Sequence, residues 1–578
     1  MRHVLLPALL AAAALPATIL PAAAQDAPAE LQAPPLAERT SASGFALTAA
    51  QAATELPHLD LTLKVDPATR TIDGTADYTV KATAPLQRAE FDLDPRFAIT
   101  SVTVNGRPAR WTNDGGFLSI DLGRTLRAGQ TAKVAIAWNG APHVARRAPW
   151  DGGFVWSETP EGAPWIATAV QMNGCDLFWP CIDHPIKEIG RLDSTIVVPE
   201  GLTAAGNGKL VGSSTEDGWT SWNWSTRSPN TYAVALNIGP YELASTEYAS
   251  RFGNTIPLKF WHLPGHSEDA AELLEEMKSY LDFFEEMIGP YPFADEKVGL
   301  AETPHLGMEH QTINAYGNEF KPSPQGYDWL AQHEFSHEWF ANQLTNTAPN
   351  HMWLHEGLGT YMQPLFLQWR DGEAAYHAAL VTQRQGLLNR SPVVPAEPIT
   401  SAHYLDEEAG WGRDIYGKGS QMAHTLRQLI GDEAFFTTIR RIVYGRPDPR
   451  PGNFVPQFAD TDDFQRIAEE ESGRDLDWFF DAYLREAALP VLTATRNGSL
   501  LELAWERESG EPFPMPVEVR FDGRLETVPM TGGTGSISLG SDTMHYVLDP
   551  MNKVLRFSPA IDEWQTWMME QRGMRRGG

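Results

Sequence analysis

The sequence predicts a multidomain α+β protein: an N-terminal antiparallel β domain, a mainly helical middle domain and a small C-terminal β-sandwich. Three observations predict it. The 578 residues exceed what one hydrophobic core organises, so roughly two to four domains are expected. Apolar and polar residues alternate from about 57 to 245, take helical spacing near 265, and alternate again from Leu489. Asn-Gly, Asp-Gly and Pro signals interrupt the alternating stretches at short intervals, as in sheets of short strands. These transitions divide the chain into a signal peptide (1–24), a flexible leader (25–45), the β domain (46–250), the helical domain (251–488), the sandwich (489–560) and a terminal helix and tail (561–578).

The first stretch, MRHVLLPALLAAAALPATILPAAAQ, has Arg2, an apolar run and the small-residue pattern Ala22-Ala23-Ala24. This reads as a secretory signal peptide cleaved after Ala24, and so as a periplasmic or secreted protein. Pro7, Pro16 and Pro21 interrupt the run, against a membrane anchor, and no later stretch reaches the roughly eighteen apolar residues of a membrane span. Residues 25–45 are rich in Pro, Ala and Ser and read as flexible. LDLTLKVD, TIDGTADYTVKA and AKVAIAWNG then carry the β alternation. SEDAAELLEEMKSYLDFFEEMIG has helical spacing, with Ser267 a candidate N-cap and Gly289 closing it. Further helices are expected over 327–344, 355–369, 373–388, 415–430, 432–444, 461–471 and 475–486. VLTATRNGSLLELAWE opens the sandwich, and IDEWQTWMMEQRGMRRGG reads as an amphipathic helix with a frayed basic tip.

Composition narrows the function classes. The formal charge of -29 argues against nucleic acid, which needs a basic surface. It suits a solvated acidic surface and permits steering of cationic substrates. Cys175 and Cys181 are the two cysteines. Extended chain would hold them about 20 Å apart against roughly 5–6 Å for a bridge. Gly174 and Pro180 permit the chain to turn back, so a disulfide and two free thiols both stand as readings.

The densest chemical signal is His333-Glu334-Phe335-Ser336-His337, with Leu330, Phe335, Trp339 and Phe340 as apolar helix positions. Four residues at about 100° each bring both imidazoles to one helix face, one turn apart. Two imidazoles so placed can share a zinc ion, and Glu334 can take a proton from water beside it. Zinc needs a third protein ligand. Glu356 supplies it from MWLHEGLGTYMQ, on a second helix expected to start near Trp353, after a connection whose Asn346, Pro349 and Asn350 allow a reversal. Two His and one Glu leave a position open, as catalytic zinc requires. His351 and His355 repeat the four-residue spacing without the Glu, and read as polar residues at the site mouth.

HEFSHEWFAN followed by WLHEGL resembles the zinc aminopeptidase family that includes aminopeptidase N and leukotriene hydrolase. GMEHQT at 307–312 resembles that family's exopeptidase motif, and DIYGKG at 414–419 its catalytic-Tyr segment. VQMNGCDLFWPCIDHP at 170–185 resembles the segment whose Gln or Glu contacts the substrate amine and first side chain. The resemblance covers about 55–560. It implies a thermolysin-like catalytic domain, one zinc per chain on His333, His337 and Glu356, and Glu334 as general base. It places the oxyanion role on Tyr416 and substrate binding on Gln171, Gly307, Met308 and Glu309. Peptides with a free N-terminus are the implied substrates. This chain departs from the pattern by a residue fewer between Gly307 and Met308, and by His310, His355 and Gln363 where the family usually has Asn, Asn and a carboxylate. Its end after the small β domain, without the large helical domain of many members, implies a more open cleft.

Two other readings compete. A thermolysin-like endopeptidase would place its third ligand one residue further on, with an Asp four residues later, where Thr360 stands. A binding protein that kept the fold and lost catalysis would have little use for an intact ligand triad together with Glu334 and Tyr416. Taken singly, Glu309 also reads as a loop ion pair, Tyr416 as a core Tyr and Gln171 as a sheet polar residue.

Overall fold

A computed structural model of the chain describes residues 36–571 apart from Ala42 and Asn453. The expected signal peptide, the start of the leader and the basic tip lie outside the described residues. Within them, no helix is long and apolar enough to cross a membrane.

The N-terminal region is built on an eight-stranded sheet. From one edge its order is Lys209–Glu216, Trp219–Arg227, Arg191–Pro199, Thr54–Asp66, Thr71–Ala82, Thr131–Gly140, Ala98–Val104 and Arg107–Pro108. Alternation explains its inner face. In Thr71–Ala82, Ile72, Gly74, Ala76, Tyr78, Val80 and Ala82 are buried on one side while the residues between them are exposed or half-buried. The pairings are antiparallel with one amendment to the expected pattern: Thr54–Asp66 runs parallel to Arg191–Pro199. The chain returns to the sheet centre only after building further strands elsewhere, and it arrives in the same direction.

A five-stranded sheet follows, in the order Glu242–Ala249, Thr255–His262, Val298–Glu302, Asn314–Tyr316 and Gly307–Met308. Its first two strands pair directly across residue 250, so the β and helical regions are continuous there. Against it packs the helix Ser267–Met287, burying Leu273, Met277, Leu281 and Phe284. The expected cap Ser267 is instead the first helical residue, following His266, and its hydroxyl donates to Glu242 at 3.1 Å. Two three-stranded sheets form the C-terminal sandwich. Its core is continuous with that of the helical region, since Val517, Val519 and Leu555 share one apolar cluster with Leu426 and Tyr483.

The described part of the leader does not float free. Arg39 hydrogen-bonds the buried Asp92, and the Ser43 hydroxyl donates to Asp183 at 2.8 Å. The physical reason is charge: Asp92, Asp94, Asp176 and Asp183 are all buried at this end of the β domain, and Arg39 acts as a cation on three of them. Beside them, Cys175 and Cys181 form a disulfide, with Cα atoms 6.2 Å apart. The turn at Cys175–Leu177 folds the chain back, which an extended strand would not do.

Burial and the Asp92 carboxylate push the Asp183 carboxyl up to about 8. The fold therefore favours the protonated acid. That stabilisation is fully present below about pH 4, the unfolded value, and is lost as pH rises through about 8. Asp183→Asn is neutral throughout. Its unfolding temperature relative to wild type should rise between pH 5 and pH 8 in thermal melts, and a gap that ignores pH would refute this account.

Candidate metal centre and its surroundings

The helix Trp329–Ser336 begins at Asp328, whose carboxylate accepts the Ala331 N–H at 2.9 Å. The same side chain accepts from Tyr316 at 2.5 Å and Asn318 at 3.0 Å. One N-cap thus fixes the helix start and ties it to the five-stranded sheet. His333 and Glu334 lie on this helix and His337 caps its end. The helix expected over 327–344 is interrupted: Glu338–Gln343 forms a π turn in which Phe340, at φ -110 and ψ 47, is non-helical. The Phe340 carbonyl lies 3.2 Å from His337 Nδ1. That contact orients the ring and leaves Nε2 facing His333, as outer partners of metal-binding histidines do.

Glu356 stands in the first turn of the helix Trp353–Asp371. Its Oε2 is 3.4 Å from His333 Nε2 and 3.3 Å from His337 Nε2, and the two nitrogens are 3.3 Å apart. Two imidazole nitrogens and one carboxylate oxygen, all buried, thus converge on one point. This donor set fits zinc with a position left for a reacting group. The electrostatics agree. Burial alone would raise the Glu356 carboxyl, yet His337 and His333 hold it well below the usual range.

Glu309, Glu334 and His337 form a second convergence, one atom of each within 4.8 Å of the others. Burial pushes the Glu334 carboxyl well up, and lifts Glu309 to about 7 against the pull of His337. Gly307 explains how the edge strand comes so close. A Cβ there would stand 2.3 Å from Glu334 Oε1 and 2.7 Å from the Leu330 side chain. Met308 pairs with Ala315 and holds this strand in register. Glu309 follows directly, with the Tyr232 hydroxyl 3.4 Å from its carboxylate.

Tyr416 lies on the helix Trp411–Ile430, its ring centroid 5.8 Å from that of His333. That helix crosses Trp353–Asp371 backbone to backbone: a Cβ on Gly419 would meet Gly357 Cα at 2.9 Å. The phenol hydrogen-bonds the Tyr404 hydroxyl, and burial keeps its pKa well above the ordinary value, so it is held as a donor. Gln171 reaches the site from the β domain, where its amide donates to Glu356 Oε1 at 2.8 Å. The structure thus commits this nitrogen to the metal-site carboxylate. Gln171 and Glu309 border a cavity of about 40 Å³ lined also by Met172, Tyr232, Met352 and His355.

The structure brings His333, His337 and Glu356 together and sets Glu334, Glu309, Gly307, Tyr416 and Gln171 against them, while Met308 is shown only buried and paired to the neighbouring strand. Tyr232 and Tyr404 were not singled out. Neither sits in a motif, and only the fold brings their hydroxyls to Glu309 and Tyr416. His355 accepts the Asn346 N–H at 3.1 Å and His351 contacts Thr461 at 2.9 Å, so both serve the surrounding framework. Gln363 donates to the Trp329 carbonyl at 3.1 Å.

Residues 273–483 match the peptidase family M1 domain. The chain is 24% identical over 451 residues to Tricorn protease-interacting factor F2 of Thermoplasma volcanium, covering 71% of this chain and 54% of that protein. It is also 24% identical over 409 residues to aminopeptidase N of Streptomyces lividans, covering 61% and 46%. It spans about half the length of these curated relatives. Among solved structures, the M1 zinc metallopeptidase of Deinococcus radiodurans is similar at a TM-score of 0.64 and 22% identity, covering 78% of this chain and 98% of that one. A mutant of that protein bound to a Tyr-Ser-Ala substrate gives a TM-score of 0.63 at 21% identity, covering 77% and 97%. The likeness shows the same arrangement, a β region followed by a helical region.

Glu356→Ala removes one of three donors and strands two imidazoles. The variant should lose zinc on dialysis that leaves wild type loaded, as read by atomic emission. Retention of stoichiometric zinc would place the metal elsewhere.

Proposed function

We propose that this chain, whose residues 273–483 match the peptidase family M1 domain, is an exported zinc aminopeptidase that removes N-terminal residues from peptides. The observation that carries this reading is the second convergence. A buried carboxylate, Glu309, lies within 4.8 Å of Glu334 and His337, and His337 is already shared with the ligand set of His333 and Glu356. A carboxylate so buried is costly without a cationic partner. A peptide's α-ammonium is such a partner, and it makes charge-assisted hydrogen bonds.

His333, His337 and Glu356 would hold the zinc, which when bound polarises the scissile carbonyl and lowers the pKa of water at its open position. Glu334 accepts the proton of the attacking water and returns it to the leaving amine. Tyr416, kept protonated, donates to the oxyanion that develops on the substrate, a contribution worth about 3 kcal/mol where one such donor has been removed. Gln171 steadies Glu356, and Glu309 fixes the substrate by its amine so that only the first peptide bond reaches Glu334. Gly307 supports the same geometry by leaving room for the Glu334 carboxylate.

Export is supported by the apolar N-terminal run ending at Ala24 and by the disulfide, which persists in oxidising compartments. A thermolysin-like endopeptidase would use the same zinc and base, but it gives Glu309 no purpose.

The zinc-loaded enzyme should cleave a peptide with a free N-terminus and leave its N-acetylated twin intact. Equal rates on both would rule out the aminopeptidase reading. Gly307→Ala should displace Glu334 and lower kcat by about a hundredfold, the scale of an ångström-sized misplacement, while zinc content holds. An unchanged kcat would show that Glu334 is not the base, or that its position is not critical.

A further inference from the structure

Glu338 follows His337 in the chain and is almost fully buried, 1% exposed. It takes no part in the metal convergence. Its Oε1 accepts the Thr312 backbone N–H at 2.8 Å and the Asn314 side-chain amide at 3.2 Å. Its Oε2 accepts the Asn342 amide at 3.3 Å, and that amide also donates to the Glu309 carbonyl at 2.9 Å. One carboxylate therefore grips both ends of the loop that begins at Glu309. The loop needs the grip. Thr312 has φ 60, a left-handed conformation that a β-branched residue adopts only when its surroundings impose it. On its far side the loop is held by the β domain: the Thr312 hydroxyl accepts the Gly208 N–H at 2.7 Å, and Asn207 donates to the Gln311 carbonyl at 2.7 Å. Lys297 braces that turn through the Gly206 and Gly208 carbonyls at 3.1 and 2.6 Å.

We propose that Glu338 is a positioning residue that sets the distance between the amine anchor Glu309 and the metal ligands. It is one peptide unit from His337 and one hydrogen-bonded amide from the Glu309 backbone, so it links the two subsites rigidly. A substrate then meets both only if its ammonium and first carbonyl have α-amino-acid spacing. A carboxylate suits this place because it accepts from three N–H donors at once. A glutamine keeps one accepting oxygen and turns an N–H against the Asn342 amide. The inference rests on the reading of Glu309 as the amine site.

The test compares two inhibitors on the zinc-loaded full chain. Leucine hydroxamate offers a metal-binding group and an α-amine, whereas acetohydroxamate offers the metal-binding group alone. Glu338→Ala should weaken leucine hydroxamate by about tenfold or more, the scale of one lost charge-assisted contact. Acetohydroxamate inhibition and zinc content should hold, and KM for aminoacyl substrates should rise more than kcat falls. Glu338→Gln should fall between Glu338→Ala and wild type, and Asn342→Ala should move the same way. These two variants carry the test if Glu338→Ala does not fold. Equal weakening of both inhibitors, or loss of zinc, would show that Glu338 merely supports His337 and would overturn the proposal, as would no change in either inhibitor. A wild-type enzyme that binds acetohydroxamate as tightly as leucine hydroxamate would instead overturn the amine reading of Glu309, and this inference with it.

Discussion

Three carboxylates, those of Glu309, Glu334 and Glu356, are buried around two imidazoles. The basic groups that act on them are His337 and His333. Desolvating so many like charges in one place is unfavourable by several kcal/mol per ion unless counter-charge is supplied. In most protein cores a lysine or arginine would supply it. On the proposed reading the cations arrive from outside, a dication at one end of the cluster and a substrate ammonium at the other. Binding and charge neutralisation become the same event. On the same reading a substrate whose amine is blocked would leave Glu309 buried and uncompensated, and selectivity against it would follow from the desolvation of the site.

The positions of these side chains depend on the elements that hold them. Asp328 does so at one end, joining the first turn of the metal helix to the sheet through Tyr316 and Asn318. Behind that helix, the Phe284 ring stacks on Trp339 at 4.4 Å and meets Phe335 edge-on at 5.8 Å. Removal of side chains does the rest. Gly307 lets the edge strand approach Glu334, Gly359 leaves space beside the His337 ring, and Gly357 with Gly419 lets the helices of Glu356 and Tyr416 touch. Rigid backing on one side and missing Cβ atoms on the other give the site precision without loops having to be stiff themselves.

How much of this was legible beforehand follows from the range of each interaction. The metal triad was readable because helical periodicity places His333 and His337 together over four residues, and a distinctive WLHEG segment marks Glu356. Strand alternation exposed the β regions, since its period survives in sequence whatever the tertiary partners. The parallel entry of Arg191–Pro199 was not legible, because strand direction is decided by where the chain has been and not by local pattern. Nor was the break after Ser336: Phe340 looks like one more apolar helix position and is non-helical only because the chain must turn into its next strand. The docking of Arg39 onto Asp92 was hidden too. A Pro/Ala/Ser-rich segment carries no sign that a buried acidic cluster elsewhere, with Arg96 on Asp94 alone, draws in a further cation. For the same reason Tyr232 and Tyr404 left no signal, their partners lying 77 and 12 residues away.

The arrangement also assigns separate tasks to the two apolar cores. One core belongs to the β domain, and the other unites the helices with the C-terminal sandwich. The metal ligands, Glu334 and Tyr416 all come from the second. Gln171 and Tyr232 come from the first, and the loop after Glu309 is clamped between them by Gly208 and Asn207 on one side and Glu338 on the other. On the proposed reading the groups that act on the peptide bond are backed by one core, while those that would read the substrate's end lie where the two cores meet. The β domain also reaches the metal site itself, because the Gln171 amide donates to Glu356 Oε1 at 2.8 Å. The sandwich acts from the opposite side: Leu555 takes a bond from Tyr483 and gives one to Thr425, the latter on the Tyr416 helix. It thereby ties the Tyr416 helix to the C-terminal region.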